Sequence, residues 1–535
     1  MRHRWLLIVV IVVAPAARAA PPPVPPPGPT NSKALQAESR RFAQQLNTVV
    51  ENVTEKYVRV VAREDLLEAA MTGLFQAARK PVPRDLRSQI DQAVALTSAL
   101  RAQSPELNPK ITLASSRSRV EPVERLLARL REEAGDADLG ADSLVIACRA
   151  LAKKLDAYSG VVMAEEKRRM ANMDQETTGV GLEFRPQLTP GPYEVEAVHA
   201  GGPAQRAGLR PGDVITHLDG LPTGEARPES VLALRSRELP DGIVQLARPV
   251  QPGGEEPPKP PDQVKVTYRR GHDEAGRTVE LVRERYRPET VQGVRRKEDN
   301  SWDYVLDAKA GIAHVRVGSL NRGTSDELRE VLTSLREEKI KGIILDLRWS
   351  PGGYLDVAIE VADLFLGEAL IATLESRGQV PKPYRSKSEG KFRDFRVVVL
   401  VNGDTSGGAE LIAAALQDHH RAVVVGQRTL GKGSVQTPIS LALEGMEFKL
   451  TSGTFIRPSG KNLHRFPEDG TSAVWGVLPD EDARLSPDLG RRLKQWWQAY
   501  SLRPVSSNER MPLDDPRADP QQQAALGVLR KEMKK

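Results

Sequence analysis

The 535-residue sequence has a single cysteine, few aromatic residues and no long run of one charge sign. With Cys148 alone, no internal disulfide can form. Cys148 lies in the apolar stretch LVIACRALAKKL without a histidine beside it, so we predict a small core residue rather than a nucleophile. Lysine and arginine do not interleave with aromatic residues, which argues against nucleic-acid binding. No segment is apolar over the roughly 20 residues that a bilayer span requires, which excludes a multi-span membrane protein.

The residues of metal, nucleotide and cofactor sites are also missing. The eight histidines are scattered, and the adjacent pair His419 and His420 cannot share one helix face. The segment GQRTLGK, which ends at Lys432, is close to a phosphate-binding loop. However, Gly433 replaces the required serine or threonine, and Pro438 opposes the helix that should follow. We therefore expect no metal and no cofactor.

The first nineteen residues have the pattern of a secretory signal peptide. Arg2 and Arg4 precede an apolar run from Trp5 to Val13, and small residues surround Ala19. The run is about half of the roughly 20 residues that a membrane span needs, which favours cleavage over an uncleaved anchor. We expect an exported protein, periplasmic or secreted, with a membrane anchor as the alternative.

The character of the sequence changes several times along a chain too long for one hydrophobic core. A polyproline spacer precedes a glycine-poor stretch with apolar residues at helical spacing. A glycine-rich, β-branched stretch follows, and a proline-rich insertion in it is interpreted as a disordered surface loop. Strands and helices then alternate, which is typical of an α/β core around a largely parallel sheet. The predicted class is multi-domain α+β, divided into a signal peptide (1–19), a linker (20–32), a helical region (33–175), a small β-rich domain (176–285, insertion 249–263), the α/β core (286–502) and a polar C-terminal tail that frays (503–535).

The stretch GGPAQRAGLRPGDVITHLDG resembles the helix-turn-strand signature of PDZ domains in bacterial proteases. The resemblance implies a module that accepts a peptide as an additional strand at a sheet edge. Some twenty residues earlier, the glycines of GVGL would let consecutive N–H groups converge on a terminal carboxylate. We therefore expect Gly179, Val180, Gly181 and Leu182 to bind a substrate carboxylate; the alternative is that these glycines serve only a tight turn.

Three separated motifs, DLRWSPGG, VNGDTSGGAELIAAALQDHHRAVVVG and TLGKGSVQ, resemble the carboxy-terminal processing (tail-specific) serine proteases. The resemblance extends over roughly residues 140 to 480. It implies a Ser-Lys type peptidase in which an unprotonated lysine, Lys432, is the general base and Gln436 positions it. Because lysine titrates near 10.4 in water, this chemistry requires desolvation of the ammonium group. The resemblance also implies oxyanion-hole donors at Gly352 or Gly353 and at Gly408.

The chain departs from the family at the nucleophile. Counting back twenty-five residues from Lys432, the family's nucleophile position falls on Gly407, which has no hydroxyl group. Ser406 directly precedes it, and a shift of the loop by one residue would present that hydroxyl instead. Asp346 and Arg348 are predicted to form a structural ion pair below the strand end.

Two functions follow from these patterns. The first is an exported endopeptidase that captures unfolded or C-terminally exposed proteins through its PDZ-like domain and cleaves them with Ser406, Lys432 and Gln436. The alternative is a catalytically inactive pseudopeptidase that binds C-terminal peptides as an adaptor, because of Gly407. The helical region is a candidate for homo-oligomerisation in either case.

Overall fold

The computed structural model describes most of the chain. The described residues are 32–102, 120–135, 143–163, 177–184, 191–199, 202–210, 212–227, 230–231, 234, 262–271, 273–286, 289–297, 301–387, 390–441, 446–470, 474–502 and 512–534. The predicted signal peptide and most of the proline-rich insertion lie outside these ranges. None of the described helices is long and apolar enough to cross a membrane.

The N-terminal region is helical, as the apolar spacing predicts. Leucines from successive helices form its core, and Cys148 is buried among them. The complete burial of Cys148 agrees with the predicted packing role, and it raises the pKa of the thiol to about 12. The elements are α1 (Ser32–Lys56), α2 (Arg63–Ala77), α3 (Leu86–Ala102), α4 (Pro122–Ala134), α5 (Ser143–Ala152) and the strand β1 (Gly160–Val162).

A small antiparallel sheet follows, with the strand order β3-β4-β5-β7-β8. Val180, Ile215 and Val266 belong to its separate hydrophobic core. The short strand β2 pairs with β9, and β6 pairs with β5. The elements are β2 (Thr177–Gly179), β3 (Leu182–Phe184), β4 (Tyr193–Val198), α6 (Pro203–Arg206), β5 (Asp213–Leu218), β6 (Leu221–Pro222), β7 (Gln263–Arg270), β8 (Asp273–Val282) and β9 (Glu284–Tyr286).

The remaining strands and helices alternate as expected for an α/β core. The elements are β10 (Val291–Gln292), β11 (Arg295–Arg296), β12 (Trp302–Asp303), β13 (Val305–Asp307), β14 (Ile312–Val317), α7 (Thr324–Glu337), β15 (Gly342–Asp346), α8 (Leu355–Phe365), β16 (Leu370–Ser376), β17 (Lys382–Arg385), β18 (Arg396–Val401), α9 (Gly408–Asp418), β19 (Ala422–Gly426), β20 (Ser434–Ser440), β21 (Glu447–Ile456) and β22 (Glu481–Asp482).

Two sheets organise this core. The central sheet has the order β10-β14-β15-β18-β19-β22 and is parallel from β14 to β22. A second, antiparallel sheet has the order β1-β21-β16-β17, with β20 paired to β21. The predicted fold class is confirmed, although the core contains this antiparallel sheet beside the parallel one. Since β1 pairs with β21, the helical region is joined directly to the core.

The end of the chain packs against the central sheet. Helix α10 (Pro487–Leu502) and two short 3₁₀ turns (Pro512–Asp514, Pro516–Ala518) lead to α11 (Pro520–Glu532). Ala525 and Leu529 of α11 are fully buried against Ile312, Ile344 and Val398 of the sheet. The expectation of a fraying tail therefore does not hold for residues 512–534. The few apolar residues of α11 lie on one face of the helix, which packs on the sheet. Because the rest of the segment is polar, its composition did not predict a packed helix.

Candidate active site

The site lies at the carboxyl ends of β15 and β18. The turn after β15 contains Gly352 at φ +79° and Gly353 at φ +154°. A Cβ atom at Gly353 would lie 2.1 Å from the carbonyl oxygen of Leu320, so the closeness of the two chains requires glycine there. Leu320 donates its N–H to the carbonyl of Gly352 at 2.9 Å. These contacts hold the turn after β15 against Leu320.

The turn after β18 leads into α9, and its backbone packs against the backbone of the turn after β15. Ser406 donates its N–H to the carbonyl of Ser350 at 3.0 Å. A Cβ atom at Gly352 would come within 2.6 Å of the Gly408 nitrogen and of the Ser406 carbonyl oxygen. The structure thus brings together the predicted oxyanion residues and Gly407, which sequence spacing had set 55 positions from Gly352.

Gly407 adopts the backbone of a nucleophile elbow without the nucleophile. Its φ and ψ are 58° and −124°, between a strand end and a helix start. Side-chain-bearing residues reach this conformation only with strain of about 1–3 kcal/mol. A Cβ atom there would meet only the Pro351 carbonyl oxygen, at 3.4 Å, so a side chain has room. The predicted nucleophile position therefore has room for a side chain, but glycine supplies no hydroxyl group there.

Three N–H groups at this place have no acceptor among the described residues. In the part of the chain that the structure describes, the N–H groups of Gly352, Gly353 and Gly408 donate to no backbone or side-chain oxygen. Gly408 is the first residue of α9, where backbone donors have no partner within the helix. Such donors beside Gly407 fit the predicted oxyanion hole.

Glu410 joins this elbow to the segment of Lys432, a role that the sequence reasoning missed. Its carboxylate is fully buried, and one oxygen accepts the N–H of Gly407 at 3.0 Å and that of Lys432 at 2.8 Å. The other accepts the N–H of Gly431 at 2.7 Å and the hydroxyl of Thr429. Burial raises the pKa of Glu410 to about 7, although these donors oppose the shift. An acidic residue three positions after a helix start was the available signal.

Lys432 is half-buried between Gly431 and Gly433 and is followed by strand β20. The absence of a helix there excludes the phosphate-binding loop. Burial, together with the nearby charge of Lys449, lowers the pKa of Lys432, and Glu410 opposes this shift. Its Nζ atom lies 6.0 Å from the centre of the Tyr158 ring. Among the described residues it has no hydrogen-bond acceptor and no ion-pair partner.

No hydrogen bond joins Lys432 to Gln436 or to a candidate hydroxyl within the described part of the chain. The Nε2 of Gln436 donates to the Ser434 hydroxyl at 2.7 Å. The Thr405 hydroxyl is buried and donates to the Leu347 carbonyl at 2.9 Å. The Ser406 side chain is only 4% exposed, and no hydrogen bond joins it to Lys432 within the described part of the chain. Its role as nucleophile stays a prediction.

Comparison with known proteins identifies the two modules. Residues 311–482 match the model described as Peptidase family S41, and residues 194–234 match the PDZ domain. The chain carries an S41 peptidase domain behind a PDZ domain. The resemblance to the C-terminal processing serine proteases is thereby confirmed.

Relatives match over part of their length. A CtpA-like serine protease of Staphylococcus aureus is 27% identical over 313 residues, which are 58% of this chain and 55% of the relative. A carboxyl-terminal-processing protease of Synechocystis sp. is 29% identical over 308 residues, 57% of this chain and 62% of the relative. The solved photosystem II D1 C-terminal processing protease is 20% identical, with a TM-score of 0.37 and coverage of 89% of this chain and 100% of that one. This chain spans little more than half the length of the curated relatives.

The predicted ion pair of the S41 core is present and is larger than expected. Arg348 bonds to Asp346 at 2.7 Å and to Asp519, just before α11, at 2.8 Å. His314 bonds to the same Asp346 carboxylate at 3.0 Å and to Gln522 at 2.7 Å. Although burial acts in the opposite direction, the Arg348 and His314 side chains hold the pKa of Asp346 well below its usual range. The residues of this network are all buried, and Arg348 begins the turn that follows β15.

The PDZ segment from Gly179 to Leu182 leads into β3, which lies at the end of the PDZ sheet's strand order. Gly181 has φ +78°, and a Cβ atom there would lie 3.3 Å from the Gly202 Cα atom. The carbonyl of Val180 accepts the N–H of Ala204 in α6 at 2.8 Å. The segment is therefore a braced glycine turn beside an edge strand.

Proposed function

We propose that this protein captures the C-terminal segments of other proteins through its PDZ domain and holds them in an S41 core that does not cleave them. The observation that carries the proposal is Gly407, which has the backbone of the nucleophile elbow and no side chain. The N–H groups of Gly352, Gly353 and Gly408, which have no acceptor among the described residues, and the half-buried Lys432 support the binding of a peptide there.

The neighbouring hydroxyl groups do not replace the missing one. Thr405 is engaged in the turn, and Ser406 is buried with its backbone fixed to Ser350 on one side and to Ala409 on the other. Presenting Ser406 at the elbow would require shifting the segment from Ser406 to Gly408. This segment packs so closely on Gly352 that a Cβ atom at Gly352 would not fit. Such a shift would also break the bond between Gly407 and Glu410.

Capture through the PDZ domain is supported by β3. In the strand order of the PDZ sheet β3 comes last, where an extended peptide can add as a further strand, and the turn from Gly179 precedes it directly. We further propose export with cleavage near Ala19, which would place the protein among exported substrates. Mass spectrometry of the mature protein tests this point, and an intact Met1 would contradict it.

A cleavage assay on one unfolded protein substrate tests the proposal. Wild type and Ser406→Ala should both show only background hydrolysis. Gly407→Ser restores a hydroxyl where a Cβ atom has room, and any activity that it gains should be lost again when Lys432→Ala is added. All three substitutions should leave the fold unchanged, which circular dichroism can verify.

The second candidate, an active endopeptidase using Ser406, is favoured by the retained Lys432 with its lowered pKa. It predicts the opposite pattern in the same assay. Wild-type cleavage that is abolished by Ser406→Ala and by Lys432→Ala would establish it and reject the binding-only function. Wild-type cleavage that survives both changes would reject the site assignment as a whole.

A further inference from the structure

Buried polar groups without a partner occur in the turn after β15 and beside the segment of Lys432. In the described part of the chain, few buried side-chain polar atoms lack a hydrogen bond, and Ser350 and His464 are two of the residues concerned. Ser350, fully buried in the oxyanion turn, has an unpartnered hydroxyl. His464 is 1% exposed and has no partner at either ring nitrogen. Because buried polar groups are nearly always paired, such groups point to a ligand or ordered water.

Lys432 and His464 both lie beside the ring of Tyr158. The ring of His464 lies 5.4 Å from that of Tyr158, and the Nζ of Lys432 lies over the same Tyr158 ring. The backbone nitrogen of His464 would be 2.8 Å from a Cβ atom on Gly433, directly after the lysine. Lys432 and His464 are therefore two polar side chains beside one aromatic ring, and neither has a hydrogen-bond partner among the described residues.

Cations and acids both lie around this place, and the acids Glu410, Asp156 and Asp469 accept hydrogen bonds from other groups. Arg465, next to His464, contacts the Trp475 ring and has no carboxylate partner among the described residues. Lys449 is close enough to lower the pKa of Lys432. The nearby acid, Glu410, is turned to its four donors, and Asp156 is bonded to Ser159 and to backbone N–H groups. The surroundings of Lys432 thus favour an anionic ligand.

The absent serine side chain leaves room for that ligand. Only the Pro351 carbonyl oxygen lies near the Cβ position of Gly407. The N–H groups of Gly353 and Gly408, which would hold the oxyanion of a reacting peptide, are equally suited to a carboxylate oxygen that is already negative.

We propose that the core is a carboxylate-binding site, in which a peptide carboxylate lies between the Nζ of Lys432 and the N–H groups of Gly353 and Gly408. This inference rests on the proposed function, because a site that cleaved peptides would not retain them. The lysine is then an anchoring cation instead of a general base. The chain would hold two carboxylate sites, one in the PDZ domain and one in the core.

Calorimetric titration of the full chain tests this site. The probes are an N-acetylated tetrapeptide ending in alanine as the free acid, the same peptide as its C-terminal amide, and an amide that contains one glutamate. Wild type should bind two equivalents of the free acid. Lys432→Met, which keeps the length and removes the charge, should lose one of them or weaken it by about tenfold or more. Lys461→Met, an exposed lysine after β21, is the matched control and should bind two.

The outcomes separate this inference from the proposed function. If wild type binds one equivalent that Lys432→Met abolishes, the core site stands and capture by the PDZ domain fails. If Lys432→Met binds the free acid as wild type does, or if the plain amide binds the core equally well, the core site is overturned. Binding of the glutamate amide that depends on Lys432 shows that side-chain carboxylates are accepted as well.

Discussion

Two cations of the S41 core, Arg348 and Lys432, lie near the same strand ends and differ in their partners. Arg348 is fully buried, and its guanidinium bonds to Asp346, Asp519 and Gln521. Lys432 is half-buried and has no acceptor among the described residues. A cation whose partners all come from the protein stabilises structure, whereas a cation left without a partner is available to a ligand. The contrast agrees with the structural role predicted for Arg348 and leaves Lys432 for a functional one.

The largest expected effect is on the paired cation. Arg348→Ala leaves Asp346 and Asp519 buried without their counter-charge, which should lower the free energy of unfolding by about 3–5 kcal/mol. Lys432→Met should change it by at most about 1 kcal/mol, because no protein partner is lost. Urea unfolding measures both, with the exposed Arg484→Ala as control. A loss for Lys432→Met as large as that for Arg348→Ala would remove the distinction.

The second effect concerns Glu410, the acid that bridges the elbow and the lysine segment. Its pKa is raised from 4.5 to about 7 in the folded protein, so the folded state binds the proton more tightly than the unfolded state. Stability contributed by this group is therefore present at low pH and is lost as the pH rises from about 4.5 to 7, by roughly 3 kcal/mol at most.

Unfolding curves of wild type and Glu410→Gln across this pH range measure the contribution. The amide variant should be less stable overall, since its NH₂ group faces donors, but the difference between the two proteins should shrink as the pH rises. Curves that stay parallel over the whole range would show that Glu410 does not titrate there.

The smallest effect compares two glycines of one loop. Gly407→Ala places a Cβ atom where there is room but where φ is positive, so it should cost about 1–2 kcal/mol. Gly403→Ala, four residues earlier, meets no atom within 4 Å and has no positive φ, so it should be nearly neutral. Thermal unfolding measures both variants, and equal effects would contradict the strained elbow.

Much of the site could be predicted because its parts are built from the backbone. Gly352, Gly407 and Gly408 follow parallel strands, and the carboxyl ends of such strands meet at one sheet edge. The partners of side chains could not be predicted in the same way. Gln436 bonds to Ser434 instead of the lysine, and Glu410 gathers donors from residues 407 to 432. These contacts depend on how two loops pack, and spacing along the chain does not encode that.

The sequence by itself determined the two modules, the α/β order of the core and the glycine at the nucleophile position, because motifs and periodicity are local properties. Only the tertiary structure decided that the C-terminal helix α11 covers the sheet and that Asp519 pairs with Arg348, 171 residues away. It also decided that Lys432 has no partner among the described residues while Arg348 has several. Such differences arise from burial and from contacts between distant segments, which exist only once the chain has folded.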